Sequence, residues 1–123
     1  MNIKKVLVID DSAVERLHVV KILKDVGYTI VEADSGEDGV LKAVEHRPDL
    51  IIMDVMMPGV NGFQATRHLS KTPETKEIPI FMLTSRTEDS DKAWAMKQGA
   101  VKYLTKPVDR SELLSEINKL IQR

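Results

Sequence analysis

The stretch VLVIDDSAVE, Val6–Glu15, runs from four consecutive apolar residues straight into two adjacent carboxylates, Asp10 and Asp11, and then into Ser12. Four residues are too few for a helix, and without polar alternation they have the pattern of a strand covered on both faces. Ser12 to Glu15 reads S-x-x-E, a capping box that opens a helix. The stretch is therefore a buried strand, a turn with paired negative charge, and a helix start. Adjacent like charges at the end of a core strand repel, so a nearby cation is expected.

The same unit recurs along the chain. Short apolar runs appear as VLVI (6–9), TIVEA (29–33), LIIM (50–53), IFML (80–83) and KYL (102–104). The first, third and fourth are apolar throughout, as central strands should be, while the second and fifth carry polar residues, as edge strands do. Between them lie stretches of helical period. In AVERLHVVKILKDVG (13–27), Val19, Ile22, Leu23 and Val26 follow the i, i+3, i+4, i+7 spacing, Leu17 and Val20 widen the stripe, and Gly27 ends it. GEDGVLKAVEH (36–46) has Ser35 as its cap. GFQATRHLSK (62–71) and EDSDKAWAMKQ (88–98) follow, the latter stopped by Gly99, and RSELLSEINKLIQ (110–122) is capped by Asp109 with Glu112 three residues on.

Strand–helix units repeated in this way imply an α/β fold with a parallel sheet and helices on both faces. Buried central strands and polar edges favour strand order 2-1-3-4-5, a flavodoxin-like (βα)5 doubly wound sheet. Ligands of such sheets bind beyond the carboxyl ends of the strands.

Composition narrows the function. The chain has 123 residues, 42% hydrophobic and 30% charged, with a net charge of -1. That size suits one core, and that balance gives no electrostatic reason to expect nucleic acid or an anionic membrane as partner. Cysteine is absent, which excludes disulfides, thiolate metal sites and thiol catalysis. No apolar run approaches the ~20 residues a membrane-spanning helix needs. No signal-peptide pattern opens the chain, so no membrane insertion and a cytoplasmic location are expected.

The strand ends carry the chemistry. Asp10 and Asp11 follow the first strand, Asp54 the third, Thr84 and Ser85 the fourth, Lys106 and Pro107 the fifth. Singly, each has an ordinary explanation: a helix cap, a turn aspartate, a strand-end hydroxyl, a solvated lysine. Together on one rim they describe a site. All-oxygen, carboxylate-rich ligation without His or Cys fits Mg²⁺, with Mn²⁺ as the alternative. Lys106 and Thr84 are donors suited to phosphoryl oxygens, and one carboxylate on a central strand can act as a nucleophile toward phosphorus.

VLVIDDS, LIIMDVMMPGVNG, FMLTS and YLTKPV resemble the receiver domain of bacterial two-component response regulators, the CheY-like family, over essentially the whole chain. Strand order 2-1-3-4-5 is that family's own, so periodicity and resemblance do not support it independently. The resemblance implies that Asp54 accepts a phosphoryl group from a histidine kinase or a histidine phosphotransfer domain. It implies that Asp10 and Asp11 hold Mg²⁺ with Asp54 and the backbone carbonyl of Met56. Lys106 would contact the phosphoryl group, and its bond to Pro107 would be cis. Thr84 would be the switch hydroxyl and Tyr103 the aromatic that turns inward. Met56 and Arg86 occupy the positions that tune dephosphorylation. The helix 4, strand 5 and helix 5 face would select a protein partner, with Lys92, Met96 and Tyr103 as its candidate contacts. All five key side chains are present, which argues against a degenerate receiver.

NGFQATRHLSK, DKAW, QGA and YLTKPVD look most like the single-domain regulators of type IV pilus twitching motility, which points to a motility-machinery protein as partner. The chain stops after the fifth helical stretch, so residues 1–123 are expected to form one receiver domain with no output domain, self-phosphorylating and autodephosphorylating at Asp54 but not otherwise an enzyme. Alternatives are a phosphorelay intermediate or phosphate sink, a Mg²⁺-dependent aspartyl phosphatase, and a flavin domain. The phosphatase would need a second carboxylate two residues past the nucleophile, where Met56 stands. The flavin phosphate would want hydroxyls, glycine and backbone N–H donors where Asp10 and Asp11 stand.

Overall fold

Alternate side chains of each central strand point to opposite faces of one sheet, and both faces are covered. In the computed structural model, which describes residues 2–86 and 88–122, the strands are β1 (Lys5–Ile9), β2 (Thr29–Ala33), β3 (Leu50–Met53), β4 (Ile80–Thr84) and β5 (Lys102–Thr105). They pair in parallel in the order β2-β1-β3-β4-β5. The helices are α1 (Ala13–Asp25), α2 (Gly36–His46), α3 (Gly62–Lys71), α4 (Asp89–Gln98) and α5 (Arg110–Ile121).

The sheet separates two cores. Val6, Val8, Leu50, Ile52, Phe81, Leu83 and Leu104 pack with α1 and α5. Leu7, Ile9, Ile51, Met53, Ile80, Met82 and Tyr103 pack with Ala43, Ala65, Leu69 and Ala95 of α2, α3 and α4. This is why β1, β3 and β4 read as unbroken apolar runs. Fully burying one such side chain contributes about 1.5–3 kcal/mol, so a single polar substitution within β3 removes much of a marginal stability.

Helix starts follow the caps. Ser12, Ser35 and Asp109 accept from the backbone N–H groups of Glu15, Asp38 and Glu112. The full capping box, however, lies at α3, where Asn61 and Gln64 bond each other's backbone at 2.9 Å in both directions. At α1 only half a box forms: the Ser12 N–H donates to Asp10 Oδ1 instead of Glu15. Two apolar positions expected on the buried stripe of α1 are not there. Leu17 is 51% exposed and Val26, the C-cap, 46%; the buried side chains are Val19, Val20, Ile22 and Leu23.

Candidate functional site

Backbone hydrogen bonds between neighbouring strand ends assemble the rim. The Asp54 N–H donates to the Ile9 carbonyl, Asp10 N–H to Ala33, and Lys106 N–H to Thr84. Residues far apart in sequence are thus fixed side by side at the carboxyl edge of the sheet. The Lys106–Pro107 bond is cis. Asp10, Asp11 and Asp54 each offer a carboxylate oxygen, and these oxygens lie within 4.8 Å of one another. Asp10 and Asp54 are buried and Asp11 is exposed, so the cluster opens to solvent at one side.

Lys106 bridges the two buried carboxylates. Its Nζ lies 2.7 Å from Asp10 Oδ2 and 3.3 Å from Asp54 Oδ1. Glu15, which the sequence pattern assigns to the cap, lies at 3.1 Å from the same ammonium. Burial works against that ammonium, but bonds to Asp10 and the charges of Asp54 and Asp10 outweigh it and raise its pKa. The Asp54 carboxyl is pushed up to about 6, first by burial and also by the charge of Asp10, against the pull of Lys106 and the Met56 backbone N–H. The site carries more negative charge than one lysine neutralises. An all-carboxylate donor set with surplus charge, open on one side, fits a hard divalent cation that keeps some of its waters.

Thr84 is fully buried at the end of β4, and its Oγ1 accepts from the Arg86 N–H at 3.2 Å. Tyr103 does not share an exposed face with Lys92 and Met96 as expected: only 8% exposed, it packs into the α2–α3–α4 core and its hydroxyl donates to the Arg86 carbonyl at 2.9 Å. The ring is already inward. Lys92 and Met96 are exposed on α4. Met56 is 55% exposed and its Sδ meets Arg86 Nη1 at 3.4 Å, so the two flanking residues touch across the rim.

Four contributors escape the sequence pattern. Glu15 has just been described. Arg16 donates to the Asp10 carbonyl at 2.6 Å and pairs with Glu32, bracing the acidic turn. Asp91, buried in the first turn of α4, holds Arg86 at both oxygens. Gly62 packs so closely under Asp54 that a Cβ there would collide with the Asp54 carbonyl and crowd Val55 and Met82. Its signal in the sequence was the NG pair that opens α3; Glu15 signals only a cap, and Arg16 and Asp91 carry no signal, because each is an ordinary charged residue on a helix. A mostly apolar cleft of about 320 Å³, lined by Val14, His18, Leu83 and Pro107 among others, opens beside Lys106.

Residues 6–118 match the response regulator receiver domain family, and the chain belongs to it. Among curated relatives, it is 44% identical to the PilH protein of Pseudomonas aeruginosa, over 95% of this chain and 97% of that one. It is 37% identical to the phosphate regulon transcriptional regulatory protein PhoB of Escherichia coli, over 98% of this chain but only 52% of PhoB, so it spans about half of that longer relative. Among solved structures, the chemotaxis protein CheY4 of Vibrio cholerae superposes with a TM-score of 0.89 at 35% identity, covering 96% of this chain and 98% of CheY4. Among the described residues, no helix is long and apolar enough to cross a membrane.

Proposed function

We propose that the chain is a stand-alone response regulator that takes a phosphoryl group onto Asp54 and passes the event to a protein of the motility machinery. The observation that carries this reading is the Asp10–Asp11–Asp54 cluster, with its oxygens within 4.8 Å and Lys106 bridging two of its members. A carboxylate oxygen of Asp54 attacks the phosphorus of a phosphohistidine. The P–O bond forms, the P–N bond breaks, and the imidazole leaves and takes a proton. Asp10, Asp11 and Asp54 would hold Mg²⁺, with the Met56 carbonyl as a further ligand; when bound, it neutralises charge on the phosphoryl oxygens. Lys106 and the Thr84 hydroxyl supply donors to the remaining oxygens.

Phosphorylation adds about -1.5 to -2 charge and three strong acceptors. Thr84 turning toward them gives up its bond from the Arg86 N–H, and Arg86 is also the anchor of the Tyr103 hydroxyl. The event therefore loosens the seam between β4, β5 and α4, where Lys92 and Met96 are exposed, and changes what that face binds. The donor, a histidine kinase or histidine phosphotransfer domain, has the apolar cleft at Val14 and Pro107 to dock against. Likeness to PilH over nearly the full length of both chains supports a role in pilus-based motility.

The test is intact mass with acetyl phosphate and Mg²⁺, for wild type and Asp54→Ala. One phosphoryl increment that needs both the metal and Asp54 is expected. No increment from acetyl phosphate or from a phosphorylated histidine kinase, in protein that binds Mg²⁺, overturns the reading.

A further inference from the structure

Trp94 is the chain's only tryptophan and lies 48% exposed on α4, away from the phosphorylation rim, with Lys97 Nζ 5.7 Å from its ring centroid. It borders a hollow of about 480 Å³ between α3 and α4, lined by Arg67, Ser70, Lys71, Trp94, Lys97, Gln98 and Gly99. A second hollow of about 430 Å³ shares Arg67 and Lys71 and continues over Gln64, His68 and Thr72. No Asp or Glu lines either one. Gly99, with φ +118, makes the floor: a Cβ there would collide with Ser70.

Among the described residues, the cations that line this groove have no carboxylate against them. Arg16, Lys42, Arg86, Lys102, Lys106, Arg110 and Lys119 all lie against carboxylates. Among the described residues, Arg67, Lys71 and Lys97 form no ion pair. Lys71 and Lys97 sit in the last turns of their helices, where a cation complements the carbonyl ends. Arg67, in the middle of α3, has no such duty, and neither does an exposed tryptophan. Gln64, Arg67, His68 and Lys71 follow i, i+3, i+4, i+7, so they form one row about 10 Å long.

We infer that the α3–α4 groove binds an acidic peptide segment of a partner protein, its carboxylates on Arg67, Lys71 and Lys97 and an apolar side chain against Trp94. Charge complementarity selects an anion, and the row selects an extended one. A compact polyphosphate is disfavoured because both helices present their carbonyl ends here, and that end of the macrodipole repels concentrated negative charge. Singly charged carboxylates spaced along a chain meet less of that repulsion, and the guanidinium fork of Arg67 suits them. Each helix begins at the phosphorylation rim and returns to the other end of the sheet. The groove is thus a second surface, away from the Asp54 rim.

The experiment is an amide NMR titration of the ¹⁵N-labelled full chain with a short synthetic peptide of alternating Glu and Gly with one central Phe, in dilute buffer. Shifts are expected at residues 64–72 and 94–99 and at the Trp94 indole, with a dissociation constant below about 1 mM. The Arg67→Glu, Lys71→Glu double variant should bind roughly tenfold more weakly or worse. Lys21→Glu, an exposed position on α1 outside the groove, should bind as wild type. The spectra themselves report that each variant is folded. The proposal is overturned by absence of shifts up to about 10 mM peptide, by shifts elsewhere, or by equal binding of the Gln-for-Glu peptide or of the double variant. Tighter binding of inorganic triphosphate would make it a phosphate site, and concentration-dependent self-association lost in the double variant would make the occupant a second copy; either overturns the peptide.

Discussion

The guanidinium of Arg86 grips the Asp91 carboxylate at both oxygens, at 3.0 and 2.8 Å. Around that fork the same residue touches Met56 Sδ, donates its N–H to Thr84 and accepts the Tyr103 hydroxyl at its carbonyl. A planar bidentate pair holds its geometry better than a single contact. The fork therefore keeps a permanent cation beside the Asp10–Asp11–Asp54 cluster but not in it.

Asp91→Asn should release that cation. The nearest new anion is a phosphoryl group on Asp54, and a guanidinium beside it would restrict the approach of water. The phosphoryl lifetime of Asp91→Asn is expected to lengthen by on the order of three- to tenfold. Asp91→Asn combined with Arg86→Ala should lose the gain. Decay of phosphorylated protein by rapid-quench or intact mass gives the answer. An unchanged or shortened lifetime in Asp91→Asn means the fork only fastens α4.

Asp54 predicts a pH dependence of stability. Its pKa rises from the ordinary aspartate value of 3.8 to about 6 in the fold. The fold thus prefers the protonated acid. The resulting penalty is absent below the unfolded value and grows as pH rises through 4 toward 6, above which it is complete. In metal-free protein at pH 7.5, Asp54→Asn should be more stable than wild type by about 1–3 kcal/mol, discounted for partial solvent screening. The gap should shrink as pH falls from 6 toward 4, and millimolar Mg²⁺ should stabilise wild type more than the variant. Urea unfolding across this pH range checks it. A gap that does not depend on pH would place its origin outside the titration of Asp54.

Gly62 is expected to tolerate no side chain. In Gly62→Ala the new Cβ meets backbone, the Asp54 carbonyl, and not the far end of a flexible chain, so the loop under the acceptor has to move. A loss of about 2 kcal/mol is expected, together with slower phosphorylation at saturating Mg²⁺. Near-normal thermal stability and phosphorylation rate would mean the loop repacks freely.

Much of this architecture was legible in the sequence because strand burial leaves a direct trace. VLVI, LIIM and IFML are apolar at every position only because two cores flank the sheet, and β3 has the boundaries its apolar run suggests. The edge strands and the caps at Ser12, Ser35 and Asp109 were equally readable. What was not legible depended on direction. The helical period admits Leu17 and Val26 to the α1 stripe, but only Val19, Val20, Ile22 and Leu23 are buried, and Val26 already lies past the helix as its C-cap. Ser12-x-x-Glu15 looks like a reciprocal box, yet Asp10 takes the serine N–H and Lys106 takes the glutamate. No spacing rule pairs residues that meet only across strand ends. Tyr103 illustrates the same limit: β5 alternation puts it on one face, but no spacing rule finds the Arg86 carbonyl that receives its hydroxyl.

Lys106 and a divalent cation draw on the same carboxylates. The ammonium lies 2.7 Å from Asp10 and 3.3 Å from Asp54, and its raised pKa keeps it charged at any working pH. Removing that charge leaves two buried carboxylates with no counter-ion, which a divalent cation then relieves. Lys106→Met is therefore expected to bind Mg²⁺ more tightly, by roughly three- to tenfold, while losing the donor that reaches from Asp54 to β5. Phosphorylation by acetyl phosphate should persist at a reduced rate. A Trp94 fluorescence change is expected on phosphorylation of wild type, and in Lys106→Met it should be largely lost, because Asp54 and Thr84 are no longer bridged to the end of β5. Titration of Mg²⁺ by calorimetry, paired with the fluorescence response, separates the two effects. Weaker Mg²⁺ binding in Lys106→Met would mean that the lysine organises the carboxylates more than it competes for them.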